Sequence, residues 1–479
     1  MACVPTGPDT FFRLSPADRA GASCSGLLRG QVRARADVNY WRLTPLACQR
    51  MQDARYAVEP LGELVTMVQY GSSALAKLEP PGVPILRMNN LQDDGWNLSD
   101  LKYIVLTDRE LTRHRLVPGD ILFNRTNSKE LVGKCAVFRE PGDWVFASYL
   151  IRVRTDERRL LPQFASDFLA TATGRLQIDR LSRQIIGMTN INAEEIRELR
   201  IPLPPIGEQE RLICAMDVAR ERRRAQLDQA EKIVVGLDSF LLENLGLTRP
   251  IEDMRRVFAV RYDEARSQGR LNSDYYHPER ILALRTLDGA GRDLAIVHLS
   301  QVVSFNRDRV PEPGDNYLGL AHIQSHTGEI SAATEEAEGT CFLYEAGDIL
   351  FARLRPYLNK VYRPENAGCC SGEFHVLRVK VPADVVPDYL ALVLRSRLVL
   401  AQTVHMMTGN THPRLANEDV ANLRIPIPAP AVQKTVVSEL GRRRQDARRL
   451  RLKAETEWQA AKAWLERQLL RDPKTEGST

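Results

Sequence analysis

The chain has 479 residues, a net charge of +5 at pH 7, 43% hydrophobic residues and 27% charged residues. These values are typical of a folded protein of about three domains, and the mildly basic charge permits nucleic-acid binding without requiring it. We find no apolar run of membrane-helix length and no features of a secretory signal. The eight cysteines include no C-x-x-C pair, which argues against zinc and disulfide frameworks. We therefore expect a cytoplasmic protein.

The first half of the chain predicts one domain of mixed strands and helices. Residues 1–34 are rich in Gly, Pro, Ser and Arg, and we predict a loose extension there. Residues 35–205 then carry short β-type segments, among them PLGELVTMVQYGSS, GVPILRMNNL, LVPGDILFNR, VGKCAVF and LIRVRT. A helix-like segment starts at Pro162, and a polar loop leads to the short strand that begins at Leu199. This order predicts an α+β domain.

A long helix is predicted over residues 206–245, directly after the sequence LRIPLPP. At about 1.5 Å per residue this helix is roughly 60 Å long, which exceeds ordinary globular helices and indicates a coiled-coil arm. Arg220 and Arg223 interrupt its apolar stripe near the first third. The stripe consists of residues spaced three or four apart, namely Ile213, Met216, Leu227, Ala230, Val234, Leu237 and Leu241.

The second half of the chain repeats the first, with a period of roughly 225 residues. GDILF occurs at 119–123 and 347–351, LRIP occurs at 199 and 423, ARADVNYW aligns with GRLNSDYYHPER, and LIRVRT aligns with VLRVKV. We predict a linker and second α+β domain over 246–430, a second long helix over 431–470 and a tail over 471–479. The second stripe is Val436, Leu440, Ala447, Leu450, Ala454, Trp458, Ala461 and Leu465. Because each stripe needs a partner, the two helices are expected to pack as an antiparallel coiled coil.

Motifs of catalysis are missing from the sequence. There is no G-x-x-x-x-G-K-[ST] phosphate loop, no Asn-Pro-Pro-aromatic tetrapeptide and no G-x-S-x-G nucleophile elbow. His322 and His326 are four residues apart, but Gly319 and Gly328 favour a strand and loop over a metal-binding helix face. We therefore predict neither catalytic residues nor a metal site.

Side chains suited to DNA lie at equivalent places in both halves. Arginine and asparagine can bind guanine and adenine edges in the major groove, and lysine suits phosphates. Each residue alone fits a solvated loop or a turn as well, but their grouping favours DNA contact. The candidates are Asn124, Arg125, Asn127, Lys134, Thr189, Asn190 and Asn192 in the first half, and Arg353, Arg355, Asn359, Lys360, Asn410, Thr411, His412 and Arg414 in the second.

A basic segment, Gly441 to Lys453, lies within the second predicted helix and reads GRRRQDARRLRLK. Two interpretations have equal weight. The segment is either a solvated helix face or a surface that follows the phosphates of DNA between two half-sites.

Together these features resemble the specificity subunit of type I restriction–modification systems. The resemblance covers the chain from about residue 35. It is carried by GDILFNR with VGK, GDILFAR with NK, IPLPPIGEQERL, IPIPAPAVQ and RLNSDYYHPE. The second junction departs from the pattern, because Ala431-Val432-Gln433 stands where the first has Gly207-Glu208-Gln209.

The resemblance implies partners for this chain. Two target-recognition domains would each read half of a bipartite double-stranded DNA site. Two copies of a separate adenine methyltransferase would dock on the helices, with Glu208, Gln209 and Gln433 as the candidate partner-binding residues. S-adenosylmethionine would be bound by that methyltransferase, and this chain would bind no cofactor itself. A translocating endonuclease subunit would be added for cleavage.

We therefore interpret the chain as a non-catalytic DNA-recognition subunit. Its target is expected to be asymmetric, because the two repeats share their framework but not their loops. Three alternatives stay open at this point: the same architecture in another DNA-modification or phage-defence assembly, a structural adaptor that does not bind DNA, and an enzyme with an unrecognised site.

Overall fold

The computed structural model describes residues 4–5, 11–13, 27–28 and 38–471, apart from 79, 94, 130, 186–187, 249–258, 260, 263–265, 267–271, 311–315, 332, 334, 338 and 410. The chain forms two compact units. Unit 1 comprises residues 1–227 and 452–479, and unit 2 comprises residues 228–451. Each long helix therefore contributes one part to each unit.

The described helices follow the predicted order of two mixed domains, each ending in a long helix. The helices of the first half are α1 (Val38–Gln52), α2 (Asp108–His114), α3 (Pro162–Leu169), α4 (Ala172–Leu181), α5 (Ala193–Arg197) and α6 (Ile206–Asn244). Those of the second half are α7 (Pro278–Asp288), α8 (Leu299–Val302), α9 (Pro387–Arg395), α10 (Arg397–Val404), α11 (Asn417–Ala421) and α12 (Pro430–Leu469). In the described residues, no helix is long and apolar enough to cross a membrane.

Unit 1 is built around an antiparallel four-stranded sheet. Its strands lie in the order Cys135–Val137, Ile121–Asn124, Leu150–Thr155 and Val65–Tyr70. Unit 1 also contains two three-stranded sheets. One joins Thr126–Asn127, Met188–Asn190 and Arg183–Ile185, and the other joins Val145–Phe146, Val83–Leu86 and Lys102–Ile104. Further pairs are Arg200–Pro202 with Val58–Pro60 and Leu91–Gln92 with Gly95–Trp96. Within 1–34, where we predict a loose extension, three short antiparallel strands are described: Val4–Pro5, Phe11–Arg13 and Leu27–Leu28.

Unit 2 has a four-stranded sheet with the same order of strands. These are Val361–Tyr362, Ile349–Ala352, Phe374–Val379 and Val303–Asn306. A second sheet joins Arg309–Val310, Cys341–Tyr344, Gly368–Ser371 and Tyr317–Leu318, and Ala295–His298 pairs with Arg424–Ile427. The sheet order and the position of the LRIP strand are thus repeated, which confirms the predicted duplication of an α+β domain.

The register of these sheets corrects one part of the sequence alignment. Phe123 pairs with Ile151 in unit 1, and Phe351 pairs with His375 in unit 2. LIRVRT therefore corresponds to FHVLRV, Phe374–Val379, and not to VLRVKV two residues later. A shift of two residues keeps every side chain on the same face of a strand, so the alternation of apolar residues cannot detect it.

The repeated GDILF sequence has the same structural role in both units. Gly119 and Gly347 have φ values of +99° and +89°, a region that glycine enters without steric cost. The Asp120 carboxylate is fully buried, accepts from the Val117 backbone N–H at 3.0 Å and pairs with the Arg154 guanidinium at 2.7 Å. In unit 2, Asp348 accepts from the Glu345 N–H at 2.8 Å and pairs with Arg378 at 2.8 Å. Thus Gly makes the turn, and Asp anchors it to the neighbouring strand.

The two long helices match the predicted bounds to within two residues. The second predicted stripe is largely buried, whereas the first is buried at three of its seven positions and half-buried at the others. Met216, Ala230, Leu241, Val436, Leu440, Ala447, Ala454, Trp458 and Leu465 are each at most 3% exposed. Within unit 2 the helices run antiparallel, because Glu231 pairs with Arg451 at 3.3 Å whereas Phe240, further along α6, stacks with Arg443 at 3.8 Å. The predicted fold class is confirmed.

Arg220 interrupts the stripe of α6 for a reason that lies in the domain. Its guanidinium is buried, pairs with the buried Asp167 carboxylate of α3 at 2.5 Å and lies 5.7 Å from the ring centre of Trp458 of α12. Arg223 contacts the same ring at 5.8 Å. A buried charge is tolerated when it is paired and hydrogen-bonded, so these arginines join helix and domain within unit 1.

Candidate nucleic-acid interface

One arginine occupies the same place in both units, at the end of the GDILF strand. The Arg125 N–H donates to the Tyr149 carbonyl at 3.1 Å, and the Arg125 carbonyl accepts from the Ile191 N–H at 2.9 Å. Arg353 makes the same pair of bonds, to the Glu373 carbonyl at 2.9 Å and from the Leu415 N–H at 3.0 Å. The backbone of each arginine is therefore held between a central strand and the polar loop that precedes the LRIP strand.

The surroundings of this arginine differ between the units. In unit 1 the guanidinium of Arg125 lies 5.0 Å from the ring centre of Tyr70, whose hydroxyl accepts from the Ala193 N–H at 3.0 Å. In unit 2 the strand position that corresponds to Tyr70 is taken by Arg307. An aromatic ring thus covers the arginine of one unit, whereas a second cation stands near the arginine of the other.

Arg353 lines a cavity of about 400 Å³ in unit 2. No carboxylate is among the described residues that line it. Burial and the Arg353 charge lower the pKa of His375 to about 4, so its ring is neutral near pH 7. With its amide oriented to suit its neighbours, Asn417 donates to His375 Nδ1 at 2.9 Å and accepts from Arg307 Nε at 3.3 Å. The lining residues are Phe305, Asn306, Arg307, Arg309, Phe342, Arg353, Phe374, His375, Val376, Ala416 and Asn417.

The two candidate phosphate-binding lysines are also equivalent, and both already have a partner. Lys134 pairs with Asp93 at 2.6 Å, and Lys360 Nζ donates to the Leu320 carbonyl at 2.7 Å. Burial lowers the pKa of Lys360 from its usual value. Because an ammonium group has three donors, each lysine keeps donors for a phosphate.

Three of the predicted asparagines hold the local backbone. Asn124 is 2% exposed, and its amide donates to the Leu131 carbonyl at 2.9 Å. Asn359 is 7% exposed, has a φ of +49° and donates to the Arg395 carbonyl at 2.8 Å. Asn192 caps α5 by accepting from the Glu195 N–H at 2.8 Å. These contacts favour the turn role that the sequence left open for each residue.

The remaining candidates lie in a three-stranded sheet of unit 1 and in loops of unit 2. Asn127 pairs with Thr189, next to Asn190, between two strands of that sheet, and Thr189 is buried. In unit 2, Arg355 is exposed with a φ of +50°. Arg414 is paired to the Glu373 carboxylate at 2.7 Å. Thr411 and His412 are exposed, and Asn410 lies outside the described residues.

The burial of two predicted partner-binding residues corrects their assignment. Gln209 and Gln433 are both 0% exposed, so neither side chain can contact another subunit. Sequence spacing alone did not reveal that each amide faces its own domain. Glu208 is partly exposed and pairs with Arg211 at 2.6 Å, so its assignment stays a prediction.

No protein-family model matches the chain. A putative type I restriction enzyme MjaX specificity subunit of Methanocaldococcus jannaschii is 24% identical over 159 residues, 33% of this chain and 37% of that protein. The type I restriction enzyme EcoKI specificity subunit of Escherichia coli K12 is 27% identical over 174 residues, 36% of each chain. The StySPI specificity subunit of Salmonella potsdam is 27% identical over 176 residues, 36% of this chain and 37% of that protein.

The resemblance to type I specificity subunits is confirmed. The matches span little more than a third of the length of these curated relatives. Among solved structures, the HsdS subunit from Thermoanaerobacter tengcongensis aligns over 86% of this chain and 96% of its own, with a TM-score of 0.34 and 14% identity. The type I S subunit from M. genitalium aligns over 88% and 97%, with a TM-score of 0.40 and 14% identity.

The basic segment of this specificity-subunit-like chain carries many internal ion pairs. Arg442 pairs with Glu439 at 2.8 Å, Arg448 with Glu329 at 3.0 Å and Arg449 with Asp446 at 3.3 Å. These pairs favour the solvated helix face over the phosphate-following surface.

Residues that sequence reasoning missed are Tyr70, Arg307 and Arg309. They lie on edge strands or just beyond them, and the two repeats do not share these residues. Their relation to the site becomes clear only from the sheet pairing. The strand that ends in Tyr70 and the strand that ends in Asn306 each pair with the central strand of their own unit, next to the shared arginine.

Proposed function

We propose that this chain is the sequence-specific DNA-binding subunit of a type I restriction–modification complex. One observation carries the proposal: two copies of a single framework present the same arginine, Arg125 or Arg353, in different surroundings. Its similarity to three specificity subunits supports the same role. A framework that stays constant while its contacts vary suits a protein that reads two different half-sites.

Base reading is assigned to the two arginines and to the side chains beside them. Arginine binds guanine O6 and N7 with two hydrogen bonds, and each such contact discriminates by about 1–3 kcal/mol. Arg125 is oriented by the ring of Tyr70, whereas Arg353 shares its cavity with Arg307 and Arg309. Because these neighbours differ, the two half-sites are expected to differ, and the whole target is expected to be asymmetric.

The chemistry is assigned to partner subunits. An adenine methyltransferase, expected in two copies, would bind S-adenosylmethionine and modify the target, and a translocating endonuclease subunit would cut unmodified DNA. This chain would supply recognition alone and act in the cytoplasm with those subunits. Glu208 and the exposed faces of α6 and α12 are the surfaces proposed for docking.

The decisive experiment selects bound DNA from a random library, with the purified chain alone and with its co-expressed methyltransferase. We expect one bipartite motif, methylated only when both proteins are present. Equal binding to all sequences in both preparations would contradict the proposal, and absence of DNA binding in both would favour an adaptor. Methyl transfer by the chain alone would instead reveal an enzyme.

A further inference from the structure

A cluster of metal-ligating side chains lies in unit 2, away from the cavity that contains Arg353. His277 precedes α7, Glu279 lies in its first turn, and His405 directly follows α10. One possible ligand atom from each of the three residues lies within 4.8 Å of the others. The imidazole rings stack with centroids 4.0 Å apart, and His405 Nε2 lies 3.2 Å from the Glu279 carboxylate.

We infer that these three residues form a binding site for a divalent transition metal ion. Two imidazole nitrogens and one carboxylate oxygen are a ligand set that zinc accepts, with a fourth position left for water. The backbone N–H of Glu279 donates to His277 Nδ1 at 3.3 Å, so ligation through Nε2 requires the His277 ring to move its proton to Nδ1 and to give up this bond. The second nitrogen of a metal-bound histidine commonly donates its N–H to a carboxylate, a backbone carbonyl or water.

The site requires only small movements of its ligands. Zinc–nitrogen bonds are about 2.0–2.1 Å long, so the three ligand atoms must approach one another by roughly an ångström and the stacked rings must turn apart. Glu279 is exposed, whereas the His405 side chain is 11% exposed, so the carboxylate has the greater freedom to move towards the rings. A bound ion would join the start of α7 to the end of α10, two helices that already pack together.

The first repeat provides a natural comparison. Gln177 of α4 and Gln402 of α10 each bond to both backbone groups of the arginine in the following LRIP strand, so they are equivalent. Three residues further along stand Arg180 and His405. The sequence alignment similarly places Arg42 at the position of His277. Two permanent cations cannot ligate a metal, so the site belongs to the second repeat alone.

The test is zinc binding by the full chain, measured by calorimetry and by thermal unfolding with and without added zinc. The site variants are His405→Arg, which introduces the residue of the first repeat, and Glu279→Gln, which keeps the shape of an exposed side chain. His298→Ala is the matched control, because His298 is an exposed histidine outside the cluster. All cysteines stay in place in every protein, so zinc held by thiols is common to all of them.

We expect wild type and His298→Ala to bind one zinc ion more than His405→Arg, and to unfold at a higher temperature when zinc is present. Glu279→Gln should weaken the binding of that ion by at least tenfold, whereas the unfolding temperature of this variant without metal should stay unchanged. With Co²⁺ as the probe, wild type should show the visible absorption of a tetrahedral site. Equal stoichiometry and equal zinc-induced shifts in wild type and both site variants would overturn the inference.

Discussion

Gln209 and Gln433 make the same three hydrogen bonds at the starts of the two long helices. Gln209 accepts from the Leu161 N–H at 2.9 Å and donates to the carbonyls of Arg159 and Pro204 at 2.8 and 2.9 Å. Gln433 accepts from the Val386 N–H and donates to the carbonyls of Asp384 and Pro428, each at 2.8 Å. Each amide therefore joins three segments: the loop before a domain helix, the LRIP strand and the long helix.

Replacement of either glutamine should destabilise its own unit. Gln209→Ala leaves one buried backbone N–H and two carbonyls without partners, and an unsatisfied buried polar group costs about 1–3 kcal/mol. We expect Gln209→Ala to lower the unfolding free energy of unit 1, and Gln433→Ala that of unit 2, by about this amount. Urea unfolding followed by hydrogen exchange assigns each loss to a unit.

The neighbouring residues Glu210 and Lys434 provide controls, because both are exposed on the same helix turns. Glu210→Ala and Lys434→Ala should change stability by less than about 0.5 kcal/mol. If the glutamine variants were as stable as these controls but lost methyltransferase binding, the amides would contact a partner after all.

Acid should destabilise unit 2 through His375. Its folded pKa of about 4 lies below the ordinary value near 6.5, so between these values the unfolded chain binds a proton that the folded chain does not. The stabilisation is complete above pH 6.5 and is lost as the pH falls to 4, by about 3 kcal/mol at most. His375→Ile introduces the residue that unit 1 has at this place and should flatten the profile over this range.

The measurement is the free energy of unfolding of unit 2 at intervals from pH 4 to pH 7.5, in wild type, His375→Ile and the exposed control His298→Ala. Carboxylates also titrate in this range, so the difference between the profiles is the quantity of interest. Parallel profiles for wild type and His375→Ile would mean that His375 has the same pKa in the folded and the unfolded protein.

Removal of the shared arginines should affect different half-sites. Arg125→Ala should cost about 1–3 kcal/mol on one half-site, and Arg353→Ala should cost the same on the other. Lys360→Ala should weaken binding to every sequence and reduce the salt slope by about one. Arg307→Tyr gives unit 2 the residue of unit 1 and should change the bases preferred at that half-site alone. Equal losses on cognate and random DNA for both arginine variants would remove their assignment to base reading.

Much of the framework follows from the sequence, because it depends on periodic burial and on repeated motifs. Met216 and Trp458, which belong to the predicted stripes, are buried, and GDILF makes the predicted strand start. Three properties were beyond sequence reasoning for a physical reason. All three depend on tertiary contacts. They are the direction in which Gln209 faces, the carboxylate that pairs with Arg220 and the residue of unit 1 that aligns with His375.

We predict that the length of the two long helices sets the distance between the reading domains and therefore the gap between the two half-sites. Because the apolar stripes of both helices need a partner, both must be lengthened together. Seven helical residues inserted after Leu227, with seven more after Arg451, where the two units meet along the chain, preserve the stripes to within about 20°. The added length is about 10 Å.

One base pair of B-DNA rises by about 3.4 Å, so the preferred gap between half-sites should lengthen by about three base pairs while the half-site sequences stay the same. A smaller shift is expected where the DNA bends to compensate, because such bending costs only a few kcal/mol. The measurement is methylation by the reconstituted complex on a library with spacers of varied length. An unchanged gap in a folded, active insertion variant would mean that the helices dock partners without setting the distance. Altered half-site bases would instead place the effect of the insertion in the reading domains.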